Sequence, residues 1–243
     1  MSSAYLLLSH GSRDRRPEIA MQQLARLVCH KLPKNSEHLV GIAALEMSSQ
    51  PLHEQIQQFA KSAFGDRNRS QNVNHLKIVP LFLLPGVHVM TDIPAEVALA
   101  QQATGEDIII ELQPYLGSHP NLDKLLAKQI ATIKAEAWIL LAHGSRRPGS
   151  QETVEAIAAR LGAVTAYWAG PPSLESRVKE LVTAGYPEIA ILPYFLFAGG
   201  ITDAIATSIE ALKLQFSAVN FQLAQPLGAS AELAELIWDL TDK

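Results

Sequence analysis

Short, uninterrupted apolar runs alternate along this chain with longer segments whose apolar residues recur every three or four positions. The runs are typical of strands buried on both faces, and the recurrences are typical of helices with one apolar face. Turn and cap residues such as Pro, Gly, Ser and Asp separate the segments. In the first half, this pattern predicts strands over residues 5–9, 39–45, 76–84 and 107–112 and helices over residues 17–32, 51–64, 92–102 and 121–133.

The second half of the chain repeats the order of the first. Its predicted strands cover residues 138–141, 164–167, 189–197 and 221–224, and its predicted helices cover residues 150–161, 172–183, 202–214 and 231–240. The strongest anchor of the repeat is the tetrapeptide His-Gly-Ser-Arg, which ends an apolar run at His10 and again, 133 residues later, at His143. A repeat of this length indicates two copies of one domain rather than a solenoid of short units.

The pattern predicts an α/β protein with two similar flavodoxin-like lobes, each built on a parallel sheet that helices cover. We expect the N-terminal lobe to comprise residues 1–134 and the C-terminal lobe to comprise residues 135–243. Eight strand–helix units are also the number that forms a TIM barrel. The close correspondence of the two halves, together with their different loop lengths, favours two lobes.

Composition and charge exclude several kinds of protein and ligand. The 243 residues are 48% hydrophobic and 18% charged, which is typical of a compact globular protein. The net charge of −4 provides no general attraction to nucleic acid or to an anionic membrane, so local arginines must bind any anionic ligand. The single cysteine excludes an intrachain disulfide, and the sequence shows neither a leader peptide nor an apolar stretch long enough to span a membrane. We therefore expect a soluble, cytoplasmic protein.

The two halves differ at two polar positions, and these differences indicate a site. Alignment on shared prolines leaves His88 without a counterpart, and alignment on the following helix places Glu46 opposite Trp168, whereas His10 keeps a partner in His143. Because neighbouring parallel strands end at one edge of a sheet, we expect His10, Glu46 and His88 to lie together. Two imidazoles and a carboxylate can bind a divalent transition metal or accept protons. The alternative is that each histidine makes only a structural hydrogen bond.

Arginines follow both histidines of the repeat: Arg13, Arg15 and Arg16 after the first, and Arg146 and Arg147 after the second. Such clusters bind carboxylates, although arginines near a helix N-terminus also occur as solvated surface residues. The remaining histidines have no metal-binding spacing, and we expect these to be surface residues: His30, His38, His53, His75 and His119. The sequence contains no phosphate-loop, dinucleotide-binding or serine-hydrolase motif.

Taken together, these motifs resemble those of the class II tetrapyrrole chelatases, in particular the two-lobed long form of the sirohydrochlorin chelatases of the CbiX and SirB type. The matching segments are His-Gly-Ser-Arg-Asp from His10, Leu-Glu from Leu45, Val-Pro-Leu-Phe-Leu-Leu-Pro-Gly-Val-His ending at His88, His-Gly-Ser-Arg from His143 and Pro-Pro-Ser-Leu-Glu from Pro171. The resemblance covers essentially the whole chain. It rests on the order and duplication of motifs that are individually weak.

The resemblance implies an ATP-independent lyase that inserts cobalt(II) or iron(II) into sirohydrochlorin, in siroheme or cobalamin biosynthesis, in a cleft between the lobes. His10 and His88 would bind the metal or take up pyrrole protons, and Glu46 would assist them as a catalytic group. The residues implied in substrate binding are Ser12, Arg13, His143 and Arg146. The resemblance implies no permanently bound cofactor, because the divalent metal is itself a substrate.

We expect the tetrapyrrole and the metal ion to be the partners of a monomeric protein, with no nucleic acid and no membrane among them. Two alternatives are consistent with the same residues. One is a metal-binding or tetrapyrrole-binding carrier without insertion activity, and the other is a ferrochelatase acting on a different porphyrin such as protoporphyrin. The two arginine loops favour sirohydrochlorin, which carries more carboxylates. Because the same ligands suit both metals, the sequence predicts cobalt or iron equally.

Overall fold

The structure, a computed structural model, describes residues 2–32, 39–65, 74–144 and 149–241. Within these residues, eight strands alternate with eight helices. The strands are β1 (Ser2–Ser9), β2 (Val40–Ala44), β3 (Asn74–Pro80), β4 (Ile108–Leu112), β5 (Ala137–Ala142), β6 (Val164–Tyr167), β7 (Glu188–Pro193) and β8 (Asn220–Leu223). The helices are α1 (Arg15–Cys29), α2 (Leu52–Phe64), α3 (Ile93–Thr104), α4 (Leu122–Ala131), α5 (Ser150–Leu161), α6 (Leu174–Thr183), α7 (Gly200–Gln215) and α8 (Ala231–Thr241).

The strands form two separate four-stranded sheets. The first has the order β2-β1-β3-β4 and the second has the order β6-β5-β7-β8, and every pairing in both sheets is parallel. The predicted α/β fold class and the predicted duplication are therefore confirmed. A single closed barrel of eight strands, the alternative considered from the sequence, is excluded because no strand of one sheet pairs with a strand of the other among the described residues.

Each sheet has its own apolar core, because its strands carry apolar residues on both faces. In the first sheet, Leu6, Leu8 and Ile78 are fully buried in one cluster with Ile56 of α2 and Val97 of α3. The second sheet has an equivalent cluster that includes Ile139, Leu141, Val178, Ile191 and Ile205.

Among the described helices, none has the length and apolar character needed to cross a membrane.

The segment between β3 and α3 departs most from the predicted elements. The strand predicted over residues 76–84 ends at Pro80, and the helix predicted over residues 92–102 is preceded by a π-helical turn, His88–Asp92, that the apolar pattern did not predict. Helix α3 follows this turn directly. π-helical turns are rare, and they occur preferentially at functional sites.

The compact units differ from the predicted lobes. Unit 1 combines Met1–His119 with Ala229–Lys243, and unit 2 comprises Pro120–Gly228, whereas the repeat divides the chain after residue 134. Helix α4 therefore belongs to unit 2 and helix α8 belongs to unit 1. Each half of the repeat thus contributes its last helix to the unit formed mainly by the other half.

Contacts of α8 with β1, β3 and α1 explain its place in unit 1. The Trp238 ring packs against Tyr5 of β1 with their centroids 5.4 Å apart, and the Lys77 ammonium of β3 donates to the Thr241 carbonyl. Helix α8 also packs against α1, while α4 packs against α5 in unit 2. Because α8 has a fully buried apolar face, the first sheet depends on a helix from the far end of the chain.

Substitution of Ile237 tests this dependence. Ile237 lies in α8 and is fully buried, so Ile237→Ala should lower the free energy of unfolding by about 2–5 kcal/mol through the lost contacts and the cavity left behind. Leu214, at the end of α7, is 86% exposed, and Leu214→Ala is the matched control, expected to change stability by less than about 0.5 kcal/mol. Denaturant titration measures both. Equal effects of the two substitutions would contradict the packing of α8.

Candidate active site

Three neighbouring strands of unit 1 are each followed by a polar side chain. His10 directly follows β1, Glu46 is the second residue after β2, and His88 begins the π-helical turn that follows β3. Strand β1 lies between β2 and β3, so the carboxyl ends of all three strands meet at one edge of the sheet. The structure thus brings together the three residues that the sequence analysis grouped.

The donor atoms of these side chains surround a common space. One donor atom from each of His10, Glu46 and His88 lies within 4.8 Å of the others. Nδ1 of His10 is 3.9 Å from Oε2 of Glu46, and Nε2 of His88 is 3.8 Å from Oε1 of Glu46. These separations are too long for hydrogen bonds, but two metal–ligand bonds of about 2.1 Å can span them. In the described part of the chain, no other group of three His, Cys, Asp or Glu side chains has such a geometry.

The backbone holds Glu46 beside His10. The Glu46 N–H donates to the His10 carbonyl at 2.8 Å, which joins the loops after β1 and β2. Gly11 makes this approach possible, because a Cβ atom at that position would lie 2.0 Å from the Glu46 carbonyl oxygen. Its φ of +97° also lies in the left-handed region that side chains disfavour. Glycine is therefore required at position 11 for the carboxylate to reach the site.

A local insertion supplies His88. Between Gly86 and Thr91 the first half has two more residues than the aligned segment of the second half. The π-helical turn accommodates them, with the Ile93 N–H donating to the His88 carbonyl five residues earlier. Within this turn, Nδ1 of His88 lies 2.7 Å from Oδ2 of Asp92. Asp92 was not among the residues predicted for the site, although a spacing of four residues on a helical segment is the signal that places two side chains together.

The two imidazoles pack closely and remain accessible. Their ring centroids are 4.9 Å apart at an interplanar angle of 85°, and the Phe82 ring lies 6.3 Å from His10 and 6.5 Å from His88. The side chains of His10, Glu46 and His88 are 53%, 42% and 34% exposed. An apolar ring therefore supports the donors, while an ion in solvent can still reach them.

Two imidazoles and one carboxylate are ligands of intermediate softness, and they suit divalent cobalt, iron or zinc. Three protein ligands leave coordination positions open to a second molecule. A neutral imidazole and a carboxylate can also accept protons at neutral pH. This arrangement can therefore hold a divalent ion and take up protons from a molecule that binds the same ion.

Unit 2 repeats the backbone of the site without its chemistry. Just as the Glu46 N–H donates to the His10 carbonyl, the Ala169 N–H donates to the His143 carbonyl at 2.7 Å. The structural counterpart of Glu46 is thus Ala169. The correspondence with Trp168 predicted from sequence is wrong by one residue, because the loop before α6 is one residue shorter than the loop before α2. On either alignment, the carboxylate has no equivalent.

The residues predicted to bind substrate in the first half lie in the loop between β1 and α1. The Ser12 hydroxyl oxygen accepts a hydrogen bond from the Asp14 N–H at 3.0 Å, and Arg13 is exposed beside it. Asp14 caps α1 by accepting from the Arg16 N–H, and it also forms an ion pair with the Arg16 guanidinium at 2.5 Å. Arg16 therefore stabilises the start of the helix, and Arg13 remains available to a ligand.

Of the residues predicted to bind substrate in the second half, His143 is exposed in unit 2. Arg146 and its neighbour Arg147 lie outside the described residues. The binding roles of Ser12, Arg13, His143 and Arg146 stay predictions.

Three of the histidines that were expected to be surface residues are paired with carboxylates. The pairs are His53–Glu96 at 2.8 Å, His75–Glu111 at 2.6 Å and His119–Asp239 at 3.7 Å. His119 is also buried. The expected surface position is therefore wrong for His119, whereas His53 and His75 are partly exposed. His38 lies outside the described residues.

The stabilisation that Asp14 provides at the start of α1 depends on pH. Hydrogen bonds from Arg16 lower the pKa of Asp14 to about 2. Because the pKa is lower in the folded state than in the unfolded state, the carboxylate stabilises the fold above about pH 4, and this stabilisation is lost as the pH falls through about 2.

Asp14→Ala should therefore lower the thermal midpoint most above pH 4, with the difference from the parent shrinking towards pH 2. Glu18→Ala, in the same first turn of α1 but outside the cap, is the control and should show a smaller difference. Calorimetric scans between pH 7 and pH 2 measure both. A difference that does not depend on pH would show that the carboxylate charge has no part in the cap.

Comparison with known proteins gives a consistent match along the chain. The family model CbiX matches residues 4–133 and again residues 137–242. A sirohydrochlorin ferrochelatase of Priestia megaterium is 25% identical over 180 residues, which cover 69% of this chain and 66%, just under two thirds, of that protein. A sirohydrochlorin cobaltochelatase of the same organism is 22% identical over 248 residues, covering 96% of this chain and 76% of that protein.

Among solved structures, the sirohydrochlorin chelatase SirB from Bacillus subtilis subspecies spizizenii, crystallised in complex with cobalt, has a TM-score of 0.72 to this chain. It is 22% identical, and the match covers 99% of this chain and 94% of that chain. The two proteins therefore share a fold over their whole matched length. The gap between the two family matches, at residues 134–136, coincides with the division of the sequence repeat.

Proposed function

The chain belongs to the CbiX family, and on that premise we propose that it is a lyase that inserts a divalent metal ion, cobalt(II) or iron(II), into sirohydrochlorin without ATP. The observation that carries this proposal is the group of His10, Glu46 and His88, whose donor atoms lie within 4.8 Å of one another at the edge of the first sheet. The names of the two relatives from Priestia megaterium support the same substrate and both metals.

The proposed reaction exchanges one metal ion for two protons. The incoming ion first binds to His10, His88 and Glu46 and keeps open coordination positions. As the four ring nitrogens replace the protein ligands, the two pyrrole N–H bonds and the bonds from metal to protein break, and four bonds form between ring nitrogen and metal. Each released imidazole or carboxylate can then take up one of the displaced protons and pass it to solvent. No electron is transferred, and charge balances because a dication replaces two protons.

The partial exposure of the three ligands supports transfer rather than storage. A site that holds an ion permanently surrounds it with a complete set of ligands, whereas this group offers three side chains that are 34–53% exposed. The resulting ligand set is incomplete and open on the solvent side. A bound ion can therefore contact a macrocycle before it leaves the protein.

Apolar and basic side chains next to the ligands suit a carboxylated macrocycle. Met47, Val87 and Met90 are each more than half exposed, and they neighbour Glu46 and His88 in the sequence, where they can contact the apolar face of a ring. We assign Arg13, with Ser12 beside it, to the peripheral carboxylates, since guanidinium groups pair well with carboxylates. Arg146 and His143 receive the corresponding assignment from the second half of the repeat.

The direct test follows the absorbance of free and metallated macrocycle with purified protein, cobalt(II) or iron(II), and no ATP. We expect turnover with sirohydrochlorin well above the uncatalysed rate. Metal or tetrapyrrole binding without turnover would instead identify a carrier. Preferential turnover of protoporphyrin would identify a ferrochelatase with a different substrate.

A cytoplasmic location and a monomeric state stay predictions.

Substitution of the ligands tests where the reaction takes place. His10→Ala and His88→Ala should each lower the insertion rate by about a hundredfold or more, the usual effect of removing a positioned acid–base group. His143→Ala should have a smaller effect, because no counterpart of Glu46 accompanies it. Circular dichroism should show that all three variants are folded. If His143→Ala were the most damaging, the reacting centre would lie in unit 2.

Arg13→Gln tests substrate recognition. An interaction with a peripheral carboxylate is made equally in the ground state and the transition state, so its loss should raise KM for sirohydrochlorin several-fold with little change in kcat. Arg26→Gln is the control, because Arg26 lies in the last turn of α1, away from the loop that holds Arg13. Steady-state kinetics with varied tetrapyrrole measure both. An unchanged KM in Arg13→Gln would remove this residue from the substrate site.

A further inference from the structure

We propose that Asp92 is a positioning residue that fixes the proton and the orientation of His88, so that Nε2 of His88 is presented to the metal. Oδ2 of Asp92 lies 2.7 Å from Nδ1 of His88, on the opposite side of the ring from Nε2. Nε2 faces Glu46, with its Oε1 3.8 Å away. This inference rests on the metal-binding part of the proposed function and not on the insertion step.

The contact determines which nitrogen of His88 carries the proton. An ionised carboxylate only accepts hydrogen bonds, so a distance of 2.7 Å requires the hydrogen on Nδ1 of a neutral imidazole. Nε2 then has a free lone pair, directed towards Glu46 and the common space. A carboxylate that accepts from the second nitrogen of a metal-binding histidine also fixes the ring and makes it a stronger donor.

The two histidines of the site differ in this respect. The shortest distance between His10 and a carboxylate among the described residues is 3.9 Å, from Nδ1 to Oε2 of Glu46, which is beyond hydrogen-bonding range. His10 is also the more exposed of the two, at 53% against 34%. His88 is therefore the oriented ligand, and His10 is held more loosely. An ion entering from solvent would meet one donor with a fixed orientation, His88, and one donor that can reorient, His10.

The sequence repeat provides a control that distinguishes positioning of His88 from a purely structural role of Asp92. Asp92 immediately precedes α3, where a negative charge also stabilises the helix N-terminus. The dipeptide Thr91-Asp92 recurs as Thr202-Asp203 in the first turn of α7, but no histidine corresponding to His88 accompanies it. Asp203 thus provides a matched control for the effect of charge on helix stability.

The first experiment titrates cobalt(II) alone into the purified protein and follows the visible absorption of the bound ion. Asp92→Asn should weaken cobalt binding by about 10–100-fold, the usual effect of altering the partner of a metal ligand, because a neutral amide accepts more weakly and can also donate to Nδ1. Asp203→Asn should leave the cobalt affinity within about twofold of the parent. Thermal unfolding of both variants shows that each remains folded at the temperature of the titration.

The second experiment is a double-mutant cycle with His88→Ala. If Asp92 acts through His88, then Asp92→Asn should cause no further loss of cobalt affinity once the imidazole is absent. An additional loss of the same size in the His88→Ala background would overturn the inference, because it would make Asp92 an independent ligand or a general stabiliser. Unchanged cobalt binding in Asp92→Asn alone would overturn it as well.

Kinetics add a readout that a structural role would not produce. Asp92→Asn should raise the apparent KM for the metal and leave the KM for sirohydrochlorin unchanged, since no contact with the macrocycle is assigned to it. Equal increases in both constants would contradict a role confined to the metal. Failure of the proposed function looks different: the parent protein would bind cobalt through His88, with the expected loss of affinity in Asp92→Asn, and yet show no insertion.

Discussion

The site depends on one backbone contact, the hydrogen bond from the Glu46 N–H to the His10 carbonyl at 2.8 Å. It extends the parallel pairing of β1 and β2 into the two loops that follow these strands, and it requires glycine at position 11, where a Cβ atom would lie 2.0 Å from the Glu46 carbonyl oxygen. A carboxylate and an imidazole from separate strands therefore become neighbours through main-chain geometry. The site then needs only His88 to complete the group.

Unit 2 has the same backbone turn as unit 1 but lacks the side chains that form the candidate site. Gly144 has a φ of +91°, and the Ala169 N–H donates to the His143 carbonyl, so the turn after β5 has the same construction as the turn after β1. Alanine at position 169 and the direct start of α7 at Gly200 leave His143 without the partners of His10. Duplication has thus preserved the fold in both units, while among the described residues the carboxylate and the π-helical turn occur only in unit 1. Function in such a frame resides in the loops, because the strands bury their own side chains.

The exchange of terminal helices ties the two halves of the chain together. Unit 1 carries the site but is completed by α8, whose Trp238 packs on Tyr5 and whose Thr241 carbonyl accepts a hydrogen bond from the Lys77 ammonium. Tyr5 lies in β1, the strand that His10 directly follows. The stability of the site therefore depends on residues from the far end of the sequence, although none of them contributes a ligand.

The sequence by itself determined the α/β class, the duplication and the grouping of His10, Glu46 and His88, because burial on both sheet faces and the common edge of parallel strands follow from local pattern and chain order. Tertiary structure decided the rest. The pairing of His88 with Asp92 depends on a π-helical turn, the equivalence of Glu46 with Ala169 depends on loop length, and the placement of α4 and α8 depends on which apolar faces meet. The sequence of an amphipathic helix shows that its apolar face must be buried, but it does not show against which sheet.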